Sequence, residues 1–367
     1  MKTLLISTVA LSAVSGAAWA GGVERSNQSM SVLFEEGRYL QFSLSAVSPD
    51  VSGVGSALGP TPGALSGDMT ESYLNFGAAY KADLNDTWSY ALIYDQPYGA
   101  NVAYPAGTGY FAGGATAELK SNALTGILQY NLPSNVSFHA GLRVQTLAAV
   151  ASLPFLAGYT VDGERDVALG YLVGAAYERP DIALRVALTY LSEIEHELDT
   201  TETGPASVSS VTPITTPQAL NLEFQSGVAQ DTLVFGSVRW VDWTEFSIAP
   251  VVYTGVPATL GRPLVSYDDD RTTFTLGVGR RLNETWSVSG QVSYEASTGS
   301  LTGNLGPTDG ILGVGLAAVY TRDNMRVTTG ISYTDVGGAT TRLGAGEGGI
   351  FRDNSAIGVG VRVGYTF

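Results

Sequence analysis

The chain has 367 residues, 44% of them apolar, with 19 Lys+Arg against 34 Asp+Glu, two histidines and no cysteine. A net charge of −15 argues against nucleic acid as a partner, and the apolar share argues against disorder. Without cysteine there is neither a disulfide framework nor a thiolate zinc site, and the spacing of His139 and His196 singles out no catalytic triad. No catalytic residue, cofactor or metal is therefore expected, and the chain reads as something other than an enzyme.

The first segment, "MKTLLISTVALSAVSGAAWA", has a basic start, an apolar stretch from Leu4 to Val14 and an Ala-Trp-Ala end. It reads as a secretory signal peptide covering residues 1–20. Residues 21–37 form a short N-terminal segment, and from about residue 38 the pattern changes. "RYLQFSLSAV" sets Leu40, Phe42, Leu44 and Ala46 on one face. "IALRVALTY" sets Ile182, Leu184, Val186, Leu188 and Tyr190 opposite Arg185. "TWSVSGQVSYEA" and "NMRVTTGISYT" alternate in the same way, as does the last stretch, where Ile357, Val359, Val361, Val363, Tyr365 and Phe367 share a face. Period two is the mark of a strand. No run after the leader approaches the ~18 apolar residues of a membrane helix.

Connections alternate in length. The short ones are Asn-, Asp- and Pro-rich turns at 83–87, 131–135, 178–181, 229–231, 282–284 and 322–324. The long ones fall at 51–70, 99–115, 150–164, 195–216, 244–269, 297–309 and 337–353. This pattern predicts an all-β fold, a transmembrane antiparallel β-barrel of about 14 strands with short periplasmic turns and long extracellular loops, in a bacterial outer membrane. Trp88, Phe138 and Trp286 follow short turns, where an aromatic girdle belongs, and Trp240 and Trp243 are expected at the outer one. The barrel would span residues 38–367 and close by pairing the last strand with the first near Tyr39. A terminal aromatic on an alternating strand is similar to the signal read by barrel-assembly machinery, which makes that machinery a partner through Phe367. Outer-membrane lipid and lipopolysaccharide are the other surroundings expected.

The order of segments resembles the FadL/TodX family of outer-membrane transporters for hydrophobic compounds, over nearly the whole chain. The resemblance is carried by "SVLFEEGRYLQFSLSAVSPDVSG" (31–53), "YALIYDQPYG" (90–99), "LRVALTYLSEIEHELD" (184–199), "TPQALNLEF" (216–224), "VRWVDWTEF" (238–246) and "FTLGVGRRLNETWSVSGQVSYE" (274–295). It implies passive uptake of long-chain fatty acids or aromatic hydrocarbons through the barrel, with release sideways into the membrane at a kinked third strand. It also implies an N-terminal hatch in the lumen. Here the hatch is shortened to residues 21–37, with Asn27-Gln28-Ser29 where the family has Asn-Pro-Ala, so the lumen is plugged by a reduced hatch, filled by side chains, or open. The basic residue the family offers to a fatty-acid carboxylate has no match in "TLAAVASLPFLAG"; Arg143, deeper in the barrel, is the nearest.

The resemblance places a ligand groove at Leu153, Phe155, Leu156 and Tyr159, against the loop at 195–216. Pro97 cannot donate to a ladder, so Asp95, Pro97, Tyr98 and Gly99 are expected to frame a lateral exit. Charges facing lipid are costly, so parity turns His139, Arg143, Arg185, Glu223, Arg239, Glu295, Arg326 and Arg362 into the lumen. They would form either a cation ladder or a filling of ion pairs. A porin-like aqueous channel and a structural or adhesive barrel remain as alternatives to hydrophobic transport.

Overall fold

A computed structural model describes residues 22–367; the leader expected at 1–20 lies outside the described residues. Fourteen antiparallel strands form the closed wall: β1 (Tyr39–Asp50), β2 (Tyr73–Asp83), β3 (Trp88–Asp95, resuming as Gly99–Ala103), β4 (Thr116–Asn131), β5 (Val136–Leu153), β6 (Tyr159–Arg179), β7 (Leu184–Leu191, resuming as Ile194–Thr203), β8 (Val208–Thr216 and Ala219–Ala229), β9 (Thr232–Val241), β10 (Arg271–Arg281), β11 (Trp286–Glu295), β12 (Thr308–Arg322), β13 (Met325–Leu343) and β14 (Asn354–Thr366). Each pairs with its neighbour, and β14 returns to β1 in an uninterrupted ladder from Tyr39↔Thr366 to Asp50↔Ser355. The Phe367 N–H donates to the Arg38 carbonyl (2.9 Å), so the terminal aromatic completes the seam.

Alternation explains the wall. Phe42, Leu44, Leu142, Leu169, Leu276, Leu316, Ile331 and Val359 all point outward and are 47–66% exposed, in a band far larger than the few hundred Å² a soluble monomer shows. Aromatic pairs edge the band near the short turns, with Trp88 on Tyr130 (4.8 Å) and Trp286 on Tyr320 (5.1 Å). Two turns use one device: the Oδ1 of Asn85 accepts from the N–H groups of Thr87 and Trp88, and that of Asn283 from Thr285 and Trp286, all at 2.9 Å. The Asx side chain replaces the missing ladder bonds at the hairpin tip.

Several segments expected as loops are strand. β5 and β6 continue to Leu153 and from Tyr159, and β7 and β8 form an extended hairpin that leaves only residues 204–207 as its tip. The reason is visible in "EIEHELDTTET": Ile194, His196, Leu198, Thr200 and Glu202 are buried while Glu193, Glu195, Glu197 and Asp199 are exposed. The strand simply rises above the hydrocarbon, where an outward carboxylate is tolerated. Trp243 also departs from expectation. It does not sit in a girdle but lies inside, wholly buried, edge-on to Tyr98 (5.9 Å), Phe246 (5.6 Å) and Tyr267 (5.1 Å). The loop after β9 folds inward over the lumen through the short helix α1 (Val251–Gly255) and a two-residue hairpin, Ser247–Ile248 with Val265–Ser266.

Candidate functional site: cavities, plug and wall break

The N-terminal segment enters the barrel. Glu24, 4% exposed, accepts from Arg239 Nε (2.9 Å) and pairs with its Nη2. Ser29 donates to Glu223, and Glu35 accepts from Arg326 Nη1 (3.1 Å). Between these anchors Met30, Val32 and Leu33 are 2–3% exposed. Phe34 lies under the Arg185 guanidinium (4.5 Å), and Asn221 Nδ2 donates to the Asn27 carbonyl (3.2 Å). The inward charges are thus largely matched by the segment itself. Elsewhere His139 bonds Thr189 (2.9 Å), Glu295 accepts from Thr273 (2.8 Å), and Arg362 lines a polar pocket with Arg143. Glu24 and Glu35, the carboxylates that complete the pairs, escaped sequence reasoning because the segment has no periodicity.

The third strand is interrupted where Pro97 requires it. Below the break Asp95 pairs with Ala123 of β4; above it Gly99 pairs with Lys120, so four steps on β3 answer three on β4. The inserted residue is a bulge. β2 keeps its ladder with β3 only from Ala78↔Tyr94 downward; above the break β3 bonds β4 and, at its outer end, the segment before β2, through a bridge of Thr70 with Val102 and the Ala103 N–H donating to the Met69 carbonyl (2.9 Å). The ladder between β2 and β3 is therefore interrupted between Ala78 and the bridge at Thr70. The N–H of Phe76, facing the break, is capped by the Gln96 side chain (2.9 Å). The Pro97 carbonyl turns inward and accepts from Arg25 N–H (2.7 Å), and Gly99 N–H donates to the Val23 carbonyl (2.8 Å). A Cβ at Gly99 would stand 2.6 Å from the Arg25 guanidinium, so a side chain there would displace that guanidinium from the strand. Asp95 accepts from Arg143 (3.1 Å) and from Ser26 (2.8 Å); Tyr98 is buried against Trp243. A polar pocket of about 130 Å³ lies at the break, lined by Arg25, Asn75, Tyr94, Asp95, Gln96 and Arg143.

Above the plug are two cavities. The outer one, about 500 Å³, is lined by Tyr104, Phe111, Leu153, Phe155, Leu156 and Tyr253, with Arg262 and Arg342 at its edge. Arg342 is held by Asp268 (2.8 Å), whereas Arg262 is exposed. Beneath it a small apolar cavity of about 50 Å³ is enclosed by Val23, Leu198, Ile214, Phe246 and Ile248. Leu264 and Leu305 line both. Tyr159, expected in the groove, is wholly buried: its hydroxyl donates to Glu202 (2.7 Å), which also accepts from the N–H groups of Val252 (2.9 Å) and Tyr253 (3.0 Å). It fastens the roof rather than lining the cavity. Asp309 fastens another loop through Arg271, Ser297, Thr298 and Gly299. Burial opposes its charge, but these hydrogen bonds outweigh it and hold the carboxyl below its usual range. Among the described residues no group of His, Cys, Asp and Glu is arranged to hold a metal ion, and the run at 268–270 is spent on Arg342, Ser300 and Trp240.

Closed outer-membrane barrels with a plugged lumen and apolar cavities above the plug form a class of channel for solutes that water carries poorly. The family model for outer membrane protein transport proteins (OMPP1/FadL/TodX) matches residues 13–334, and the chain belongs to that family, whose members transport hydrophobic compounds across the outer membrane. A search of curated proteins gave no match. Among solved structures, a Pseudomonas aeruginosa FadL homologue is similar over 92% of both chains at 15% identity, with a TM-score of 0.76. The Pseudomonas putida toluene transporter TodX matches over 92% of both at 14% identity and TM-score 0.64, and the Ralstonia pickettii toluene transporter TbuX over 91% and 90% at 13% and 0.62. At these identities the likeness speaks to the fold.

Proposed function

We propose that the protein carries hydrophobic small molecules passively from the outer cavity through the apolar cavity to the break between β2 and β3, and releases them there into the membrane. The observation that carries this reading is the alignment of three features along one path: an outer apolar cavity, an enclosed apolar cavity sharing Leu264 and Leu305 with it, and a gap in the wall. Val23 lines the enclosed cavity and Arg25 the pocket at the gap, so the segment between them stands as an internal gate. No chemistry is involved; the solute moves down its own gradient, and each cavity replaces water by apolar surface worth ~25 cal/mol per Å². Exposed Arg262 at the outer mouth suits the carboxylate of a long-chain fatty acid, while the cavity below suits its chain or a neutral hydrocarbon. The ion-paired, plugged lumen weighs against an aqueous pore.

The test uses a chain without native cysteine. Asn75→Cys/Gln96→Cys, joined across the break by a short bis-maleimide, is compared with the same variant left unjoined. Loss of labelled-oleate uptake on joining supports lateral release. Undiminished uptake by the joined protein removes it.

A further inference from the structure

A second interruption of the wall lies between β6 and β7. Below it the ladder ends at Leu172↔Leu191, and above it resumes at Gly163↔Thr200. Between them residues 164–170 and 193–199 run unpaired with each other, although β5 bonds β6 and β8 bonds β7 on their far sides. The cause is a pair of bulges. Leu191 and Ser192 are both buried in succession, and Glu164 and Arg165 are both exposed in succession, so each strand changes face there. In the interval, the register would set inward Asp166, Ala168 and Gly170 opposite outward Glu197, Glu195 and Glu193. Side chains on opposite faces cannot share a ladder.

Side chains fill the place of the missing bonds. A Cβ at Gly170 would stand 2.6 Å from Ile194 Cδ1, and one at Gly163 2.9 Å from Leu198 Cδ2, so these two side chains rest on bare backbone. His196 crosses the interval: its Nε2 accepts from Gln145 (3.2 Å), which leaves Nδ1–H to donate to Asp166 (2.8 Å). Leu198 and Gly163 also line the enclosed apolar cavity, so the interval borders it directly. Unpaired backbone is not tolerated against hydrocarbon, and the outward carboxylates of Glu164, Glu193, Glu195, Glu197 and Asp199 place the interval at the polar boundary just above it. Exposed Val167 and Leu169 form its apolar lower edge.

We propose that this interval is a side window through which uncharged apolar solutes pass from the outer boundary of the membrane into the enclosed cavity, with Leu198 as its shutter and His196 as its latch. Five carboxylates against one cation, Arg165, repel an anionic head group, so the window serves neutral hydrocarbons and leaves fatty acids to the mouth near Arg262.

This inference rests on the transport reading, and its test separates the two. Leu198→Cys and Ile127→Cys each install one thiol at a buried position, 1% and 3% exposed, the second inside ladders unbroken on both sides. N-ethylmaleimide is expected to modify the Leu198→Cys thiol at least about tenfold faster, because only the window opens locally, and dissolved octane is expected to slow it. Val167→Cys/Glu195→Cys, two exposed positions facing each other across the interval and outside the cavity lining, joined by a short bis-maleimide, is expected to lose most octane uptake while keeping oleate uptake, relative to the same variant left unjoined. Labelling no faster than at Ile127 overturns the window, as does unchanged octane uptake by the joined Val167→Cys/Glu195→Cys barrel. Wild type that takes up neither solute overturns the transport reading itself.

Discussion

Glu24→Ala tests how the segment closes the lumen. It removes both bonds from Arg239 and leaves that guanidinium, 6% exposed, with Asn221 as its remaining side-chain partner at close range. Breaking a buried pair from one side costs ~3–5 kcal/mol. Met30, Val32 and Leu33 still anchor the segment, at ~1.5–3 kcal/mol per buried side chain, or ~4.5–9 kcal/mol together. The second sum matches or exceeds the first. The single variant should therefore loosen residues 22–28 and leave the lumen shut, while Glu24→Ala/Val32→Ser/Leu33→Ser should release the whole segment. Conductance in planar lipid bilayers reads the difference: wild type and the single variant stay closed, and the triple variant passes ions. Steady conductance by wild type, or a folded triple variant that remains closed, would refute the reasoning.

Arg143→Met leaves Asp95 with Ser26 alone and should destabilise the barrel by ~3–5 kcal/mol, read as a lower urea midpoint. Glu202→Ala frees three donors on the roof; at ~1.5–3 kcal/mol for a hydrogen bond to a charged group, protease cleavage near Tyr253 should rise sharply without a change in barrel stability. The depressed carboxyl of Asp309 contributes stability that is present above the unfolded value near ~3.9 and is lost as pH falls through the lower folded value. Pepsin should therefore cut the loop before β12 increasingly as pH drops below ~4, and Asp309→Asn should expose that loop to proteinase K at neutral pH.

The barrel was legible because lipid enforces strict alternation: one face of β1, β10 or β14 cannot tolerate charge, and the pattern survives in any order of Val, Leu, Phe and Tyr. The break at Pro97 was legible for a local reason, the missing N–H. What escaped notice had no such constraint. Above the membrane the outer face of β7 turns acidic, and a strand with Glu193, Glu195 and Glu197 outward resembles a loop to a reader looking for apolar residues. Glu24 and Glu35 lie in an aperiodic segment, and their partners Arg239 and Arg326 are about 200 and 300 residues away in sequence. Trp243 carried an aromatic signal that fits a girdle equally well; only the inward fold of the following loop sends it into the core. Arg262 and Phe111 reach one cavity from separate loops, a meeting that no spacing encodes.

The most direct measurement is uptake of labelled oleate and labelled octane by cells that lack their own outer-membrane hydrophobic transporters and display this barrel, correctly inserted, against cells carrying empty vector. Saturable uptake of either solute above the vector background is the result expected of a passive hydrophobic transporter. Uptake no greater than background for both, from a barrel shown to be folded in the outer membrane, would contradict it.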